Sequence, residues 1–154
     1  MLIRPSSRII AINGQEVILE NLEGGFEIGD YCLLERKGGE PLYYKIEDVN
    51  YENKTIILNG SPSLTNIGSP IINLGKRGSI GIGINGSSNE VYKMPSNSIS
   101  ILEFDGTNSL EPKIILGKLP NDKNSFGEAA GTYGLYGENV VLNGSLTTKT
   151  IATS

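Results

Sequence analysis

The sequence predicts an almost all-β protein: a small β-barrel or sandwich module over residues 1–60, then a strand-rich, fibre-like region over residues 61–154 that shares its core with other copies. Three observations predict this. Apolar residues recur with period two rather than 3.6, which gathers them on one face of a strand and scatters them around a helix. Turn signals break the chain at roughly 8–12-residue intervals, the texture of small barrels and sandwiches. Glycine supplies 20 residues, well above ordinary usage of about 7%.

The first hairpin is read from Ile10 and Ile12, then Val17 and Leu19, alternating on either side of Asn13-Gly14. Both turn residues tolerate positive φ, and with Gln15 and Glu16 they predict a loop of about four residues. The pattern recurs at Ile46 and Val49, a turn over 50–54, then Ile56 and Leu58. We read this recurrence as convergent turn chemistry rather than repetition. Between the hairpins, Phe26 to Glu35 reads as a strand, and Pro41 to Ile46 as its neighbour across Lys37-Gly38-Gly39-Glu40. The best helical candidate, Gln15 to Glu23, is β-branched at its start and closed by Gly24-Gly25, so no helix is predicted.

After Gly60 large apolar side chains thin out and Gly, Ser and Asn become common; Ser61-Pro62-Ser63 is taken as the boundary. A region so lean must still offset about 1–2 kcal/mol of backbone entropy per ordered residue. It is therefore disordered, or it borrows a core from other chains. Ser79-Ile80-Gly81-Ile82-Gly83-Ile84 decides between these, because disorder does not keep strict isoleucine alternation. Its opposite face, one Ser and two Gly, marks close approach of backbone. Further strands are expected at Ser98–Phe104, Lys113–Leu116 and Asn139–Leu146.

Composition removes several functions. A net charge of −4 and pI ≈ 4.9 speak against a nucleic-acid partner, since phosphate binding needs a basic face. Histidine is absent and Cys32 is the one cysteine, which excludes Ser-His-Asp triads, Cys-His dyads and zinc sites built on His or several Cys. Cys32, inside Tyr31-Cys32-Leu33-Leu34, reads as a small buried hydrophobe. Met1 to Pro5 holds no apolar run long enough for a signal peptide or membrane span, so a product made in the cytoplasm, without membrane insertion, is expected. The sequons at Asn53, Asn59, Asn85 and Asn143 are then turn chemistry. Glu103 and Asp105 could share a strand face, but solvated charges at a strand end explain them. Gly81-Ile82-Gly83-Ile84-Asn85-Gly86 matches the spacing of a dinucleotide fingerprint; it lacks the βαβ unit and following helix that make that motif bind pyrophosphate. No catalytic, cofactor-binding or metal-ligating residue is assigned. Tyr43-Tyr44, Tyr133 and Tyr136 suit burial or wet contact surfaces.

Two C-terminal stretches, Lys113-Ile114-Ile115-Leu116-Gly117-Lys118-Leu119-Pro120 and Tyr133-Gly134-Leu135-Tyr136-Gly137-Glu138-Asn139-Val140-Val141-Leu142-Asn143-Gly144, resemble an "LGxL…GYGLYxxNVYLxG" segment of tail proteins of tailed phages and prophages. Thr132 and Val141 depart from that pattern. Ile71 through Ile84 is similar to a "QxGxR…IxI" strand pair of those proteins, Ile101 to Ser109 to their "IxxxDGxNS" turn, and residues 8–60 to the small β domain that often precedes them. The resemblance implies a virion structural protein, a segment of a tail fibre or host-recognition device, usually trimeric and located in the virion tail. It carries over no catalytic residue. Similar proteins continue past this motif, so the chain is expected to be an excerpt.

The expected function is thus a non-enzymatic, homo-oligomeric fibre segment, its partners being its own copies and other tail proteins. Ile80, Ile82, Ile84, Val140, Leu142 and Leu146 are the expected subunit contacts. The alternative is a carbohydrate- or receptor-binding module acting on a bacterial surface glycan or receptor through the loop Asn121 to Tyr133, with Tyr133 and Tyr136 as contacts.

Overall fold

The structure, a computed structural model, describes residues 2–22, 24–35, 39–86 and 95–150. In chain order its strands are β1 (Leu2–Ile3), β2 (Ser6–Asn13), β3 (Glu16–Leu19), β4 (Tyr31–Leu34), β5 (Leu42–Asn50), β6 (Thr55–Leu58), β7 (Pro70–Gly75), β8 (Ile80–Asn85), β9 (Ser98–Phe104), β10 (Leu110–Lys118) and β11 (Tyr133–Gly137). A helical turn, α1 (Lys123–Phe126), followed by a 3-10 turn over Gly127–Ala129, lies between β10 and β11. The protein is mostly β, as the period-two pattern predicts.

Six strands close a barrel in the order β2-β3-β6-β5-β4-β7, with antiparallel neighbours throughout. Its interior is aliphatic, with Ile9, Val17, Leu19, Ile46, Ile56 and Leu58 fully or almost fully buried around Phe26. The first hairpin is tighter than its polar stretch suggests. Asn13 pairs with Glu16, leaving a two-residue turn in which Gly14 takes φ +63°. Ile9, not Ile10, points inward, because the register shifts between Ile9 and Ala11 and the bulge reverses the faces. The strand expected from Phe26 shortens to Tyr31–Leu34. A turn precedes it, where Asp30 N–H donates to Glu27 O and Gly29 takes φ +90°. The turn at Lys37-Gly38 falls outside the described residues.

The barrel also reaches past Ser61-Pro62-Ser63. Its last strand is β7, while β1 pairs with β8 in the second sheet. Composition changes in the connection over 59–69, which lacks a strand, and the ladder resumes with Ile71 and Ile72. β7 and β8, adjacent in sequence, do not pair with each other.

The second sheet runs β1-β8-β9-β10-β11, antiparallel throughout. It packs on the outside of the barrel over β4 and β7. That contact explains the unbroken apolar runs in those strands, since a strand covered on both faces has no polar alternation. Cys32, Leu34 and Ile71 face the barrel core. Leu33, Ile72 and Leu74 cluster with Leu102, Phe104 and Leu110 of the sheet, and the rings of Tyr31 and Phe104 meet at 5.6 Å.

Polar groups fasten the joint. Arg4 donates from Nε to Asn73 O on β7 (3.0 Å) and from Nη1 to Ile80 O on β8 (2.8 Å). Asn73, itself buried, donates to Gly25 O and to Asp30 Oδ2 (2.8 Å) and accepts from Gly75 N–H (2.8 Å). Asp30 also receives Lys76 Nζ at 3.0 Å. A buried carboxylate is tolerated only with partners of this kind. The hydrogen bond from Lys76 to Asp30 holds its ammonium above the usual range.

Candidate interaction surface

A strand exposes alternate side chains on opposite faces, so pairing register decides which residues of a sheet line up. On the face of the second sheet turned away from the barrel, register brings Ile3, Ile82, Ile101 and Ile114 side by side across four strands. A second row follows: Ile84, Ile99, Leu116 and Leu135 across β8 to β11. Apart from Ile101, which is half-buried, every member of both rows is exposed. Ile80, 56% exposed, stands beside Glu103 at one end, and Tyr133, 74% exposed, pairs with Lys118 at the other. No other described part of the chain covers these rows.

The opposite face is built for close approach. A Cβ at Gly81 would stand 2.9 Å from Arg4 Cγ and 3.2 Å from Leu2 Cδ1, so only glycine leaves Arg4 its place. Asn85, Ser98 and Ser100 are buried there, and Ser98 Oγ donates to Pro95 O at 2.7 Å. The Gly-Ile alternation read in the sequence is thus one strand with a packed face and a bare one. Gly81 to Asn85 lie in this strand, and residues 87–94, which follow the fingerprint-like spacing, fall outside the described residues.

The six expected contact residues divide into two groups. Ile80, Ile82 and Ile84 stand together on the bare face. Val140, Leu142 and Leu146 do not join them. They lie in a segment after β11 that makes no strand ladder, and all three are exposed. The strand expected at Asn139–Leu146 is therefore unformed, because no described strand lies alongside it. β11, in contrast, is a strand that the apolar pattern does not predict. Tyr-Gly-Leu-Tyr-Gly hides its alternation behind glycines, although Tyr133 and Leu135 share the bare face.

Tyr133 and Tyr136 fall on opposite faces of β11. Tyr136 turns to the packed face, where its ring meets Phe126 of α1 edge-on at 5.0 Å, so the two tyrosines do not form one surface. The loop between Asn121 and Tyr133 is ordered by its own contacts. Asp122 accepts from the Ser125 hydroxyl and from Asn124 N–H, and these hydrogen bonds, the first above all, hold its carboxyl below the usual range. Tyr43 and Tyr44 pack against the second cluster and the barrel core respectively.

Residues with reactive chemistry are engaged elsewhere. Cys32 is fully buried in the barrel, and desolvation pushes its thiol far up, with Asp30 adding to it. Asp105 closes a turn, its Oδ1 accepting from the N–H groups of Thr107, Asn108 and Ser109 at 2.8–3.1 Å. Desolvation is the largest single influence on it and raises its pKa, but the hydrogen bonds together outweigh that and hold it below the ordinary value. Among the described residues, an open cleft of about 470 Å³ is lined by Ser6, Ser7, Arg8, Glu20 and Asn21, and the Ser7 hydroxyl oxygen in it accepts from Asn21 N–H at 3.0 Å. Among the described residues no group of three or more Cys, Asp or Glu converges as a metal site requires, and no helix is long and apolar enough to cross a membrane. Comparison with protein-family models, curated proteins and solved structures finds no match to the chain.

Proposed function

We propose that this chain is a non-enzymatic structural module of a homo-oligomeric fibre of the kind found in tailed-phage tails, with three copies meeting through the bare face of the second sheet. The observation that supports it is the pair of aligned aliphatic rows. Their exposed members present on the order of 700 Å² of apolar surface, near the roughly 800 Å² per partner buried in a standard interface. Isolated proteins seldom leave a contiguous apolar patch above roughly 300–600 Å² in water.

The arrangement suits a shared core. Isoleucine and leucine on a twisted sheet interdigitate with a like surface at about 10 Å spacing, and identical copies supply that surface. The barrel, whose core is complete within one chain, would stand outside the shared core as a rigid appendage. Sedimentation velocity of the full chain tests the proposal. A stable trimer at micromolar concentration is expected, and a monomer at about 100 µM would overturn it. The Ile82→Asp variant should dissociate while its barrel stays folded by circular dichroism.

A further inference from the structure

On the premise of that self-association, we propose that residues 140–144 of each copy add as an antiparallel strand to the outer edge of β11 in the next copy. The acceptor is an unguarded edge. β11 pairs with β10 along one side, and no other described strand lies along its other side. Proteins commonly protect such edges with charged residues, proline or bulges; Tyr133-Gly134-Leu135-Tyr136-Gly137 contains no charge and no proline.

The donor is a strand without a sheet. Val140, Val141 and Leu142 are of types that favour a pleated surface, yet they form no ladder, and Val141 is 93% exposed. One antiparallel register joins the two. With Leu142 opposite Leu135, Val140 falls opposite Gly137, and both exposed rows of the sheet gain one member. Val141 then lands beside Tyr136 on the other face, near the ring of Phe126. Gly144 falls opposite Tyr133 and leaves room for its ring.

The same register within one chain would require a two-residue hairpin at Glu138-Asn139. The favoured turns of that length need positive φ at the first central residue, which Gly, Asn or Asp adopt readily and Glu only at a steric cost. Among described residues the only non-glycines with positive φ are Lys54 and Asn97. The acceptor is therefore a neighbouring copy. Each copy gives a strand at one place and accepts one at another, so in the proposed trimer the exchange runs head to tail around the three copies.

The test uses two full-length single variants, Leu135→Cys and Leu142→Cys, carrying different tags, refolded together and mildly oxidised. Native Cys32 is buried and stays silent. A disulfide between differently tagged chains, at least tenfold more abundant than in either variant alone, is the expected result. In the Leu135→Cys/Leu142→Cys double variant, a bond within one chain would overturn the exchange in favour of a hairpin. If the unaltered protein is oligomeric but the mixed pair does not cross-link, strand exchange fails while face packing survives. If the unaltered protein is monomeric, both fail. As a second readout, Leu142→Pro removes an N–H that faces β11 in this register, because Leu119 N–H donates to Thr132 O and the alternation leaves Tyr133, Leu135 and Gly137 turned to the free edge. It should weaken association about tenfold or more, and unchanged association would overturn the proposal.

Discussion

The barrel and the second sheet spend their isoleucines differently. In the barrel Ile9, Ile46, Ile56 and Ile71 are fully buried by their own chain. In the sheet Ile82, Ile84, Ile99 and Ile114 stand in aligned rows and remain exposed. The same residue type, set on the same period-two alternation, thus closes one unit and leaves the other open. The difference lies in the opposite face. Barrel strands curve until their apolar faces meet, whereas the sheet packs Leu102, Phe104 and Leu110 against the barrel, sets Gly81 against the side chains of Arg4 and Leu2, and carries a second set of large aliphatic residues on its outward face.

The largest expected effect is in the barrel. Phe26→Ala removes a ring 1% exposed and should cost about 3–5 kcal/mol in urea unfolding. A loss below about 1 kcal/mol would mean that the barrel core is looser than its burial suggests. Next is the joint between the units. Asn73→Ala leaves the Gly25 carbonyl, the Gly75 N–H and one Asp30 oxygen short of a partner. About 2–3 kcal/mol should be lost, with faster hydrogen exchange at Gly75.

On the bare face the sign of the contrast changes. Ile82→Ala should shift the unfolding of dissociated chain by only about 0.5 kcal/mol, yet weaken self-association severalfold in sedimentation experiments. An equal loss in both measurements would show that the face is covered from within the same chain. The smallest effect concerns Asp105. Its carboxyl is held below the usual value of 3.8, so its turn contributes fully above that pH and loosens as pH falls through the lower folded value. Amide shifts of Thr107, Asn108 and Ser109 should titrate with a midpoint below 3.8. Asp105→Asn, which keeps an acceptor, should abolish that titration.

Much of the fold was legible in the residues. Ser98–Phe104 forms a strand with the expected bounds, since Ser-Ile-Ser-Ile alternation admits only one face assignment. The side-chain period says nothing, however, of bulges, and the shift after Ile9 reversed the faces of Ile9 and Ile10. Nor does it say which strands share a sheet. The apolar run of β7 looks like part of the lean second region, but it closes the barrel, because each of its faces has a different neighbour. Glycine masked β11, and β-propensity overstated Asn139–Leu146, which has the side chains of a strand and no ladder beside it. Of the candidate surface, the isoleucine alternation of β8 was visible at once. The two rows were not, because they exist only after four strands have taken their register.

The chain begins in the second sheet with Leu2–Ile3, leaves to build the whole barrel, and returns through Lys76 to Ser79 into the same sheet, next to where it left. The barrel is consequently an insertion held by two covalent passages, with Arg4 bonded across them. A single linker permits swivelling; two side by side resist torque. Any load on the sheet is delivered to the barrel without slack, and the joint behaves mechanically as a weld rather than as a hinge.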